Sequence, residues 1–153
     1  MVITCAKESL SKGVNIVNKA VPIRTTMPIL ECILIDASTN EIKLTANDME
    51  IGIETVIEGT IEERGTVALD AKLLTEMVRK LPDNDVKISV DDKMQATITC
   101  EKIKFNMSGK EGEDFPSIPA VSRNAPIQIS ELSLKNIIRQ TIFSIADNDN
   151  NRM

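Results

Sequence analysis

The sequence predicts an α+β fold: two strand-helix-three-strand halves whose paired helices lie on the inner face of an antiparallel outer sheet, followed by the start of another such unit. Three observations predict it. A strand-plus-helix pattern recurs about every 60 residues, with helices opening near Glu8, Asp70 and Ser130. The runs between the first two helices, and those after the second, alternate apolar and polar residues with period two. Those runs are joined at Asn- and Asp-bearing turns, and such short connections imply antiparallel pairing, since a parallel crossover needs about a dozen residues or more.

The first unit is VITCA followed by KESLSKGVNIVNKAV, in which Leu10, Val14, Val17 and Val21 recur at i, i+4, i+7 and i+11 as an apolar stripe. Lys12, Asn15 and Lys19 run down another side. ILECILIDAS, TNEIKLTAND and MEIGIETVIEGTI then read as three strands, turning at Thr39-Asn40 and Asn47-Asp48. The second unit is GTVALDAKLLTEMVRKLP: Leu74, Met77, Val78 and Leu81 supply the stripe, and Lys72, Arg79 and Lys80 the cations. Asp70 fits an N-cap and Pro82 a helix stop. DVKISVDD, KMQATITC and EKIKFNMSG follow as strands, with turns at Asp91-Asp92 and Glu101-Lys102. EDFPSIPAVSRNAP brings three prolines and little periodicity, and reads as a linker. In the third unit, PIQISELSLKNIIRQTIFSIA, Ser130 or Glu131 starts a helix with Leu134, Ile137, Ile138, Ile142 and Ile145 facing inward and Lys135 and Arg139 outward. One strand and one helix cannot complete a fold of this kind.

Composition narrows the function classes. A net charge of −5 with 42% hydrophobic residues in a chain of 153 describes a globular protein with room for one domain and part of another. Cations gathered on helices of an acidic chain are the strongest clue to a polyanionic partner. Phe supplies all three aromatic residues, so stacking platforms for single-stranded nucleic acid are scarce. No apolar run approaches the roughly 20 residues that cross a bilayer, and MVITCAKESL lacks a signal peptide's regions, so no membrane role and a cytoplasmic location are expected. Cys5, Cys32 and Cys100 sit in apolar strand patterns and read as buried free thiols, not a metal site. The absence of histidine removes the commonest general base, and no cofactor is implied.

Four segments carry a specific resemblance: Arg24-Thr-Thr-Met-Pro-Ile-Leu; Leu44-Thr-Ala-Asn-Asp-Met-Glu; Asp70-Ala-Lys-Leu-Leu, ending in Arg79-Lys-Leu-Pro; and Glu113-Asp-Phe-Pro-Ser-Ile-Pro. In order and spacing the chain resembles the N-terminal part of the bacterial DNA polymerase III beta subunit family, the replicative sliding clamps. The resemblance implies a DNA-clamp fold, with residues 1–120 as a first clamp domain, 121–126 as a linker and 127–153 as the truncated beginning of a second. It implies a noncatalytic processivity factor: three similar domains per subunit, and two subunits closed head to tail as a homodimeric ring around duplex DNA.

Arg24 and Lys72 match the family's DNA-contacting basic positions, although Lys at the second forgoes the bidentate phosphate geometry of Arg. Lys12, Lys19, Arg79, Lys80, Lys135 and Arg139 are further expected DNA contacts, and Arg152 resembles the start of another contact region. The family's subunit interface maps onto Ile103 to Met107 and the nearby second helix, with Leu73, Ile103, Phe105 and Met107 as candidates. The plain alternative for Phe105 is a core position. The replicative polymerase and clamp loader are expected to bind through domains absent here. Glu50, Glu54, Glu58, Glu62 and Glu63 would give an acidic exterior that discourages DNA from the wrong side.

Three rivals stand against this reading. Paired acids such as Asp48 and Glu50, Asp83 and Asp85, or Asp91 and Asp92 suggest a carboxylate enzyme, but each pair falls in an expected turn, where Asp is favoured for other reasons. Asp147-Asn-Asp-Asn-Asn opens like an EF-hand loop, but Arg152 stands where that loop needs Gly. The third rival is a protein-interaction domain whose basic helices are only solvated faces, with no DNA role.

Overall fold

The structure, a computed structural model, describes residues 1–119 and 126–145. The chain divides into one unit spanning Met1–Ile118 and another opening at Pro119. The first unit runs β1 (Val2–Ala6), α1 (Lys7–Val17), β2 (Cys32–Asp36), β3 (Ile42–Asn47), β4 (Gly52–Ile57), β5 (Thr60–Glu63), β6 (Thr66–Asp70), α2 (Ala71–Lys80), β7 (Asp85–Val90), β8 (Gln95–Cys100) and β9 (Ile103–Lys110). The strands form one antiparallel sheet in the order β4-β3-β2-β6-β9-β8-β7-β1-β5.

Two halves of the expected kind are present, β1-α1-β2-β3-β4 and β6-α2-β7-β8-β9, but each lends its first strand to the other. β1 pairs with β7 from Val2↔Ser89 to Ala6↔Asp85, and β6 pairs with β2 from Cys32↔Asp70 to Asp36↔Thr66. The seam between the halves is short. β6 and β9 share only Ala68↔Lys110 and Leu69↔Gly109, so β9 from Ile103 to Ser108 pairs with β8 alone and presents a free edge.

The run from Met49 to Ile61, expected as one strand, is two strands in different parts of the sheet. β4 pairs with β3, and β5 pairs with β1. The chain breaks at Glu58-Gly59 because Gly59 passes hard against β1: a Cβ there would sit 2.6 Å from the Thr4 carbonyl oxygen and 2.7 Å from Ile42 Cδ1. Only a residue without a side chain fits that approach.

α1 and α2 pack against each other and against the sheet. Their stripes close the core as their spacing dictates: Leu10, Val14 and Val17 from α1 and Leu74 and Val78 from α2 are buried with Ile3, Ile33, Ile35, Leu44, Leu69, Ile88 and Ile98 from the strands. Met77 is partly buried, and Val21 lies beyond the helix but still packs on the core. Asp70 caps α2 by accepting the Leu73 amide at 2.8 Å, and the helix stops before Pro82, with Leu81 extended at ψ 145°. α1 has no side-chain cap, and its Lys7 amide instead donates to the Asn84 carbonyl at 3.1 Å. Cys5, Cys32 and Cys100 are buried free thiols, and burial pushes the Cys5 thiol up to about 11.

Part of the expected linker belongs to the first unit. Phe115 is buried against Cys32 and Ala68, and Ile118 lies so close to Gly52 that a Cβ there would meet its Cδ1 at 2.5 Å. A large apolar ring follows the surface that hides it, whatever prolines surround it. Residues 121–125 of the linker, Asp147 to Asn151 and Arg152 lie outside the described residues.

The third unit departs from expectation in two ways. PIQIS, residues 126–130, forms no strand, and α3 (Glu131–Thr141), capped by Ser130 Oγ accepting the Ser133 amide at 3.1 Å, keeps its stripe exposed. Leu134, Ile137, Ile138, Ile142 and Ile145 are all open to solvent. A strand needs a paired neighbour and an apolar stripe needs a facing layer, and residues 126–145 supply neither.

One turn carries a measurable charge effect. At the β3-β4 turn, Asp48 Oδ1 accepts the Glu50 amide at 2.9 Å and the Ile51 amide at 2.6 Å, which holds its carboxyl below the usual aspartate range. The folded state therefore gains from ionised Asp48 above the ordinary aspartate pKa, and loses that gain as pH falls through the lowered value. A side-chain titration by NMR should place its midpoint below that of an unstructured aspartate, and the Asp48→Ala variant should narrow its stability gap from the parent as pH is lowered. A gap independent of pH would count against this assignment.

Candidate nucleic-acid interface

Helical periodicity sorts the cations before any distance is measured, since each residue advances about 100° around the axis. On α1, Lys12 lies about 140–160° round from Leu10, Val14 and Val17, so it points away from the core and is exposed. Lys12 also borders a groove against β4 together with Glu8 and Glu58. On α2, Lys72 and Arg79 fall within about 20° of one another, while Lys80 is about 100° beyond Arg79 and shares the opposite flank with Leu73.

The structure brings Lys72 and Arg79 together in a groove of about 560 Å³ whose other wall is Asn18 and the segment Val21–Ile23. Arg79 also faces Ser11 and Asn15 of α1 across the cleft between the helices. Arg24 follows directly on this wall: Ile23 lines the Lys72 groove, and Arg24 lines the next hollow with Thr25–Met27, Leu30, Asp48 and Met49. Two of the sequence segments that carried the family resemblance thus meet in space, the Arg24 loop and the Asp48-Met49 turn. Met49 holds φ at +76° there, fixed by its amide donating to Asn47 Oδ1 at 2.7 Å.

Other expected contacts lie elsewhere. Lys19 is exposed on the short 3-10 turn after α1, outside these hollows, and Lys80 is turned away from the groove. Lys135 and Arg139 are exposed on α3 in the second unit.

Among the described residues, two lysines of the sheet are ion-paired and none of the helix cations is. Lys43 pairs with Glu54 at 3.6 Å and Lys87 with Glu62 at 2.8 Å, both on strand faces turned away from the core. Glu62 accepts from Lys87 Nζ through both oxygens and from Thr4 Oγ1, and the Lys87 contact chiefly holds its carboxyl low. Among the described residues, no carboxylate lies within 4.0 Å of Lys12, Arg24, Lys72 or Arg79. The sheet's acids are thus partly spent on its own cations, while the helix cations remain open to an outside anion.

The interface candidates divide along β9. Ile103, Phe105 and Met107 share one strand face, but only Ile103, at the strand's start, is exposed. Phe105 is half-buried against the core and Met107 is buried within it. Leu73 is 47% exposed on α2. Glu31 and Glu76, which line the Lys72 groove, were missed, although Glu76 at i+4 from Lys72 and i−3 from Arg79 was legible. Among the described residues no cluster of His, Cys, Asp or Glu could hold a metal ion, and no helix is long and apolar enough to cross a membrane.

Two helices side by side, backed by one sheet and showing unpaired cations outward, define a clamp-type α+β module. The family model for the DNA polymerase III beta subunit, N-terminal domain, matches residues 1–119. The chain belongs to that family. It is 37% identical over 157 aligned residues to the beta sliding clamp of Staphylococcus aureus, covering 97% of this chain and 42% of the relative. A solved structure from Eubacterium rectale, attributed to a DNA polymerase III beta subunit, superposes with a TM-score of 0.94 at 68% identity over 99% of this chain and 41% of that one. The DNA polymerase sliding clamp of Bacillus subtilis superposes with a TM-score of 0.92 at 36% identity, over 99% and 42%. The chain thus spans about two fifths of the length of these relatives.

Proposed function

We propose that the whole protein is a noncatalytic processivity factor of the replicative DNA polymerase, a cytoplasmic ring that encircles duplex DNA, and that this chain supplies the first clamp domain and the opening of the second. The observation that carries the reading is the grouping of unpaired cations on α1, α2 and the Arg24 loop, with Lys72 and Arg79 in one groove and Arg24 in the hollow beside it. A ring that slides cannot grip a few phosphates strongly or read bases, because each strong contact is a barrier to the next step. Distributed Lys and Arg side chains give a salt-screened attraction that hardly depends on register. Closure of the ring supplies the residence time.

In this reading Arg24, Lys72, Arg79 and Lys12 meet the phosphates, with Lys19, Lys80, Lys135, Arg139 and Arg152 as further contributors. The free edge of β9 joins a second subunit head to tail, with Ile103 and Leu73 as the exposed apolar contacts and Phe105 and Met107 anchoring the strand from behind. The polymerase and the clamp loader engage parts of the protein beyond this chain. A second reading, an interaction domain with merely solvated helices, draws on the same free edge and on the carboxylates in the Lys72 groove.

Retention on DNA after clamp loading separates the two. The whole protein should stay on circular duplex and run off linearised duplex, and the Arg24→Ala/Lys72→Ala variant should associate more weakly. Its salt dependence should flatten by roughly one unit of slope per lost contact, with ring assembly intact. Equal retention on circles and linear ends would mean adhesive binding and would sink the ring. Loss of dimerisation in the variant would reassign Arg24 and Lys72 to assembly.

A further inference from the structure

The groove that carries Lys72 and Arg79 is not a basic one. Glu31, Asp70 and Glu76 line it with them, so three carboxylates accompany two cations. Asp70 is committed to capping α2 through the Leu73 amide. Glu76 has no such task. It is exposed, and its spacings of four residues from Lys72 and three from Arg79 place it on the helix face between them. Yet among the described residues neither cation has a carboxylate oxygen within 4.0 Å. Glu76 therefore neutralises neither cation by contact, and its charge acts on whatever anion they meet.

We propose that Glu76 sets the strength of α2's hold on phosphate, keeping Lys72 and Arg79 weaker than two unopposed cations so that contact with duplex DNA stays light enough to slide. The inference rests on the DNA reading above. A phosphate drawn to Lys72 or Arg79 approaches within about one helical turn of the Glu76 carboxylate. Across solvent with the dielectric of bulk water, a unit charge at that distance changes a phosphate contact by a factor of about three at low salt, and by less as the Debye length shrinks. The effect is a moderated affinity with the cations still in place, which removing a cation would not reproduce.

The test is an NMR titration of the 15N-labelled 153-residue chain with a short blunt DNA duplex at low salt, following the α2 amides. Glu76→Gln should tighten binding about threefold, with the gain fading as salt is added. Lys72→Ala should weaken binding, and adding Glu76→Gln to it should restore part of the loss. Asp92→Asn, which removes the same charge from the exposed β7-β8 turn, should leave the affinity unchanged. Weaker binding by Lys72→Ala without a gain from Glu76→Gln overturns the role of Glu76 and leaves the DNA reading standing. An equal gain from Asp92→Asn assigns the effect to net charge and also overturns it. If the α2 amides of the parent chain do not respond to duplex, and Lys72→Ala changes nothing, the DNA reading of this face falls and the inference with it.

Discussion

Replacing Leu74 with alanine is expected to cost the first unit about 2–5 kcal/mol, a large share of a typical domain's stability. Leu74 is fully buried on the core-facing side of α2, in the one cluster that draws on both helices and on strands from both halves. Truncation removes the transfer free energy of three carbons and leaves a cavity between a helix and a sheet. The sheet cannot collapse to fill it without disturbing the paired strands beneath. Denaturant unfolding followed by circular dichroism should show a lower midpoint with an unchanged slope. Because the cluster is shared, both halves should unfold in a single transition. A loss below about 1 kcal/mol would mean that α2 packs more loosely than its burial implies.

Gly59→Ala is the second large effect, and it runs against the usual trend. Replacing Gly by Ala commonly stabilises by about 0.4–1 kcal/mol, because the unfolded chain loses freedom. Here the added methyl falls 2.6 Å from the carbonyl oxygen of Thr4, an atom of the backbone. Thr4 is held from both sides, paired with Thr60 and with Lys87. It cannot retreat as a flexible side chain would, so a net loss of about 1–3 kcal/mol is expected. Hydrogen exchange should quicken first at the β1 and β5 amides. Unchanged stability, with those amides as protected as before, would show that the corner between β4 and β5 is looser than its contacts suggest.

The sequence made the helices legible because their signals are local. Leu10, Val14 and Val17 repeat with the helical period, and Asp70 and Pro82 bracket the second helix, so stripe, start and stop follow from neighbours in the chain. Gly59 shows the opposite case. It occupies the inward slot between Ile57 and Ile61, so the alternation runs through it unbroken, and only the approach of Thr4 reveals a corner. α3 has a true stripe, but a stripe states what a helix would bury and not that a layer is there. On β9, alternation put Ile103, Phe105 and Met107 on one face without saying that this face belongs to the core. At the candidate site the cations were found from sequence, yet their grouping was not drawn from it. Arg79 and Lys80 are consecutive on a helix and cannot share a face, a fact the 100° step already contained. The match of Arg24 to Asp48 and Met49 required the fold, because a loop and a turn about 25 residues apart have no common period.

The exchange of first strands between the halves governs how the unit comes into being on the ribosome. When β1 has emerged, its partner β7 is still unmade, and β2 waits for β6 before it gains a second neighbour. The last strand, β9, ends at Lys110. Until β6 is made β2 lacks its second neighbour, and until β7 is made β1 lacks that partner, so apolar strands stand in the nascent chain with unpaired edges. Synthesis at roughly 5–20 residues per second makes that interval several seconds long. Pairings of this sequence separation also form slowly, since distant chain segments must be brought together before any contact rewards the search. The full sheet of the first unit is therefore a property of both halves together, since each completes its pairing with a strand that the other supplies.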